Sequence, residues 1–108
     1  MPDSFVELYQ DERQRLTIGK QALASLYEFS EDMANLLVEQ CQTLHHRDGI
    51  DEDQILSRCF NGLVAAPTSL PAAQAQWIVR RTAELLQWHW DSRQAVYERA
   101  VEQRAPQR

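Results

Sequence analysis

The chain has 108 residues, 44% of them hydrophobic and 25% charged, a size and composition suited to one soluble domain with its own core. Three glycines and four prolines supply too little turn chemistry for an all-β chain, and the net charge of −5 excludes a dedicated nucleic-acid binder that works through a basic surface. No stretch approaches the roughly 20 apolar residues of a membrane span, and Met1–Glu7 lacks the basic and apolar regions of a leader, so a cytoplasmic protein is expected.

Charge is distributed unevenly. Residues 1–54 carry 12 acids against 4 bases, whereas residues 55–108 carry 4 acids against 7 bases. The halves are complementary, which favours attraction within one fold or between subunits. Ten of the eleven bases are arginine, a side chain suited to bidentate and stacked contacts.

In chain order, Ser4 and Glu7 have capping-box spacing, so a helix is expected from about Phe5. Phe5, Tyr9, Leu16, Leu23 and Leu26 then share a seam that Glu12 and Gly19 interrupt, which leaves open either one long helix or a break near Thr17–Gly19. Ser30, followed by Glu31 and Asp32, reads as the N-cap of a second helix with Met33, Leu36, Leu37, Cys41 and Leu44 on one stripe. Gly49, after His45, His46 and Arg47, reads as its C-terminal stop. Asp51 caps a third helix over Glu52–Val64, with Ile55, Leu56, Cys59, Phe60 and Leu63 inward. Thr68 or Ser69 opens a final helix that holds Pro71 in its first turn. Without internal Gly or Pro, that helix extends from Leu70 to about Gln103, or about 50 Å at 1.5 Å per residue. Residues 104–108 are expected to fray.

The fold class expected is therefore all-α: one domain over residues 1–108, a bundle of four or five helices with a long C-terminal helix. Its core is predicted to contain Leu23, Leu26, Met33, Leu37, Cys41, Leu44, Ile55, Leu56, Cys59, Phe60, Leu63, Ile78 and Leu85.

Chemistry-bearing patterns are sparse. Cys41 and His45, four residues apart, share a helix face near His46 and Asp48, but a zinc site needs further ligands at a suitable spacing. Buried thiols at Cys41 and Cys59, with a disulfide between them as the alternative, and a histidine pair favoured by the helix dipole account for them, and neither metal nor cofactor is expected. No phosphate loop, nucleophile elbow or His-Glu-x-x-His motif occurs, so a non-enzymatic protein is expected. A helix-turn-helix reading of Asp51–Thr82 meets two objections: the connection holds Pro67 and is long, and three acids open the first helix.

The final helix carries the strongest signal. All three tryptophans lie within Trp77–Trp90, and its apolar residues spread too widely for one core stripe. One flank holds Leu86, Trp90, Arg93 and Tyr97 at spacings of three and four and is expected to bind a protein partner. The other holds Trp77, Arg81 and Trp88 and is expected to mediate self-association, most simply as a twofold dimer that covers the overhang of so long a helix. Ile78, Leu85, His89 and Val96 lie between the flanks and should face the core.

In size, helicity and acidity the layout resembles the small bacterial anti-activators that bind quorum-sensing regulators of the LuxR type. The resemblance implies a protein that sequesters a transcription regulator, with no nucleic-acid or membrane partner. The alternatives are a homo-oligomeric adaptor or secretion-type chaperone and a helix-turn-helix regulator.

Overall fold

A computed structural model describes residues 1–90 of the chain. Helices α1 (Asp3–Val6), α2 (Lys20–Asp48), α3 (Glu52–Val64) and α4 (Ala72–Leu86) account for its regular structure, with one turn of 3-10 helix at Glu7–Tyr9. There is no strand among the described residues, and none of their helices is long and apolar enough to cross a membrane. The all-α expectation holds.

The N-terminal segment takes the interrupted form. Asp11 is the cause: its carboxylate accepts the backbone N–H groups of Arg13 and Arg15, both at 2.9 Å, and so offers the chain a turn in place of a helix. Gln14 adopts a left-handed conformation at the tip, and Thr17 returns to the Tyr9 carbonyl through both its backbone N–H and its hydroxyl. The capping box at Ser4 does not form; Pro2 precedes the helix, and the Ser4 hydroxyl is used elsewhere.

Helix α2 then runs unbroken for 29 residues through the expected cap at Ser30. Here the sequence signal has a tertiary meaning. Ser30 is fully buried and accepts a 3.4 Å hydrogen bond from the Gln74 side-chain amide on α4, so its hydroxyl is satisfied without ending the helix. Gly49 does stop α2: it sits at φ 67°, a left-handed conformation with no penalty for glycine, and its N–H closes on the His45 carbonyl. Helix α3 spans Glu52–Val64 with Asp51 at the N-cap position, as the sequence predicts, although the Asp51 side chain makes no cap hydrogen bond. In the α3–α4 connection Ala66–Pro67 is cis and Ser69 has a positive φ. Helix α4 begins after Pro71 and is capped by neither Thr68 nor Ser69.

The expected helix from Leu70 to Gln103 is corrected. Helix α4 ends at Leu86, where Gln87 turns left-handed and the N–H groups of Gln87 and Trp88 bond back to the carbonyls of Glu84 and Ala83 in a Schellman motif. Reversal brings Trp90 against Phe60 of α3, with ring centroids 5.9 Å apart, and Trp88 against His45 of α2, at 5.2 Å. A straight helix would carry both indoles away from those rings, and their burial favours the turn. The overhang argument for a dimer loses its basis with that helix. Val96, Arg93 and Tyr97 lie outside the described residues.

Helix α4 packs most extensively on α2, and α3 covers both. The core comprises Phe5, Leu23, Ala34, Leu37, Cys41, Ile55, Leu56, Phe60, Leu63, Ala75, Trp77, Ile78, Val79, Ala83 and Trp90. Leu26, Met33, Leu44 and Cys59, expected inside, are half-buried against it. Leu85 is 40% exposed and is not a core residue, and His89 is exposed too. The inward line of α4 runs instead through Gln74, Ala75, Ile78, Val79, Thr82 and Ala83. Small and polar residues lie where α2 approaches closely, a criterion that hydrophobicity alone does not rank.

Replacing Leu56 or Ile78, both fully buried, by alanine should therefore lower stability by about 2–5 kcal/mol in urea unfolding, while Leu85→Ala should cost less than about 1 kcal/mol.

Candidate functional site

The three tryptophans belong to the interior more than to a surface. Trp77 is almost fully buried and meets Phe5 edge to face at 4.8 Å and Tyr27 at 6.0 Å, while its indole N–H donates to the Ser4 hydroxyl at 3.0 Å. This contact pins the N-terminal turn onto α4 and explains why Ser4 does not cap. Trp88 is half-buried on His45, and Trp90 is 8% exposed against Phe60.

Arg81, expected on the same flank as Trp77, is tied within the chain. Its Nε donates to Glu31 of α2 at 2.7 Å and its Nη1 to Glu84 at 3.3 Å. The hydrogen bond that Arg81 donates to Glu31 is the main cause that raises the proton affinity of the guanidinium above its ordinary value. Beside Arg81 and Glu84, Pro2, Ser4, Trp77 and Arg80 line a small cleft of about 220 Å³. Leu86 is half-buried at the end of α4. The chain turns between Leu86 and Trp90, so these two do not form one helical ridge; the remaining members of that expected ridge, Arg93 and Tyr97, are not among the described residues.

A different apolar ridge lies on α2. Leu26, Phe29, Met33 and Leu36 recur at spacings of three, four and three, and at 100° per residue they occupy an arc of about 80°. The arc lies on one side of the buried line through Leu23, Ser30, Ala34, Leu37 and Cys41. Leu26 and Met33 lean on the core, whereas Phe29 is 40% and Leu36 54% exposed. Of the expected stripe Met33, Leu36, Leu37, Cys41 and Leu44, Leu36 thus points away from the core. Sequence reading missed the ridge because it set a helix boundary at Ser30, which separated Leu26 and Phe29 from Met33 and Leu36. The available signal was the width of the α2 apolar arc once the two segments are joined.

The ridge has an acidic border. Asp32 and Glu39 are exposed beyond it, and no lysine or arginine occurs in α2 between Gln21 and His46. Among the described residues Glu31 is the acid of this stretch that a cation engages, through Arg81. The flank is thus apolar along its length and negative at its edge.

The C-terminal end of α2 holds the remaining groups of interest. His45 Nδ1–H donates to the Ile50 carbonyl at 2.9 Å, and its other ring nitrogen lies 4.0 Å from Glu52. Cys41 does not pair with His45 as a metal site would require; its sulfur lies 3.8 Å from that of Cys59 on α3. The hydrogen bond between them eases ionisation of Cys41, while Cys59, whose proton is held in that bond and which is partly buried, is pushed up. No group of three His, Cys, Asp or Glu side chains among the described residues could hold a metal ion.

Comparison with protein-family models, curated proteins and solved structures finds no match for this chain. The functional reading therefore rests on the physical features above.

The indole–hydroxyl contact gives a direct check on the placement of the N-terminal turn. Ser4→Ala and Trp77→Phe should each lose a hydrogen bond of about 0.5–1.5 kcal/mol, and the double variant should cost less than the sum in a double-mutant cycle.

Proposed function

We propose that this chain is a non-enzymatic regulatory protein that acts by binding another protein, and that α2 provides its binding surface. The observation that carries the reading is the Leu26–Phe29–Met33–Leu36 ridge, held on a helix whose adjoining face is fixed in the core. A fixed ridge needs little ordering when a partner docks, so more of the gained contact is retained as affinity. Alternating anchors at spacings of three and four fit an amphipathic helix laid alongside.

Charge selects that helix. Asp32 and Glu39 favour a partner with basic residues beside its apolar stripe. A second copy of this chain would set those carboxylates against their own kind, on top of the repulsion between two chains of net charge −5. Helices that contact DNA are basic because phosphate demands it, so an acidic, apolar flank suits a competitor for such a helix. The most specific form of the reading is accordingly an anti-activator that sequesters a transcription regulator, in line with the outline resemblance in size, helicity and acidity.

Affinity capture from the native cells with the wild-type chain and with Leu36→Asp tests this. Because Leu36 is exposed, the substitution should leave the thermal midpoint within a few degrees, while recovery of a transcription regulator falls at least tenfold, equivalent to about 1.4 kcal/mol or more. Phe29→Ala should act in the same direction. Equal recovery by all three proteins would overturn the assignment of the ridge, and recovery of an exported substrate through the ridge would favour the adaptor or chaperone reading.

A further inference from the structure

We propose that Cys41 and Cys59 form a dithiol site that small-molecule disulfides convert into an intramolecular disulfide joining α2 to α3. The two sulfurs face each other at 3.8 Å across the helix pair. A disulfide bond is about 2.05 Å long, so closure requires an approach of about 1.8 Å, which two side chains on adjacent helices can share. No third ligand joins the pair among the described residues, so its donor set does not build a zinc site.

Exposure assigns the order of events. Cys41 is fully buried at the α2–α3 contact, whereas Cys59 is partly open to solvent. Reagent therefore meets Cys59 first. The Cys59 sulfur attacks one sulfur of a disulfide RSSR, which forms Cys59–S–S–R and expels RS⁻; that thiolate takes the proton Cys59 gives up. Cys41 then attacks the Cys59 sulfur and expels the second RS⁻, which takes the proton of Cys41. Two thiols are oxidised by two electrons in all, and one RSSR is reduced to two RSH.

Closure ties together residues 18 apart in sequence, across the Gly49 turn. That loop includes His45, Ile50 and Glu52, which already brace the same corner. A crosslink there restricts the unfolded chain and raises the thermal midpoint. The C-terminal half of α2 is thereby crosslinked to α3 in the oxidised form and held there by packing and hydrogen bonds alone in the reduced form.

Oxidised glutathione, applied to the reduced full-length protein under native conditions, tests the site by thiol trapping and intact mass. Wild type should lose both trappable thiols, fall in mass by two hydrogens and remain free of intermolecular crosslinks. Cys41→Ala should stop at a stable glutathione adduct on Cys59, and Cys59→Ala should react at least tenfold more slowly than Cys41→Ala. A persistent glutathione adduct on wild type, crosslinked dimers, or equal rates for the two variants would overturn the proposal. Should either variant fail to fold, the wild-type mass and its rise in thermal midpoint on oxidation decide the question alone.

Discussion

The close approach of α2 and α4 at Ser30 and Ala34 governs the rest of the molecule. Both residues are fully buried, and α4 meets them with Gln74 and Thr82. Small side chains let the helix backbones come near enough for Gln74 to reach Ser30, while the Thr82 hydroxyl donates to the Ile78 carbonyl at 2.8 Å and lies 3.4 Å from that of Ala34. Each buried polar group in this seam thus has a partner, and desolvation is offset where it would otherwise cost about 1–3 kcal/mol per group. Arg81 and Glu31 extend the same contact to the surface, in an ion pair that joins the acidic half of the chain to the basic half.

Several features follow from that contact. It holds α2 continuous through a sequence that looks like a helix start, because Ser30 gains a tertiary partner in place of a capping role. It orients α4 so that Trp77 is enclosed by Phe5 and Tyr27, which draws the N-terminal turn into the core. It also turns the Leu26–Leu36 ridge to one side of α2, next to the core without being covered by α4. Packing that stabilises the bundle is in this way the same packing that leaves the ridge available.

The parts of the fold written locally were legible in the sequence. Gly49 can adopt the left-handed conformation that ends α2, and Asp51 with its following acids marks the start of α3; both signals act within one helical turn. The parts decided by distant partners were not. Ser30 and Ser4 carry cap-like signals that Gln74 and Trp77 reassign across 44 and 73 residues. Gln87 carries no glycine or proline warning, yet the chain turns there because Phe60 and His45 offer burial to Trp90 and Trp88. The candidate surface was hidden by the same error, since an assumed boundary at Ser30 divides the ridge into two fragments too short to recognise. Charge asymmetry was visible from the start, and its structural expression is the acidic border of that ridge, where Asp32 and Glu39 meet no cation among the described residues.

The central claim is that the outer flank of α2 is open in the free protein and is covered by a partner. A dissolved paramagnetic agent, read by NMR at the Leu36 methyls and the Phe29 ring, measures this directly. In the free protein those signals should broaden strongly while the methyls of Ile78 and Leu56 stay sharp, and the captured partner should protect Leu36 and Phe29. Protection of Leu36 in the free protein at every concentration would show the ridge covered by the chain itself and would contradict the account.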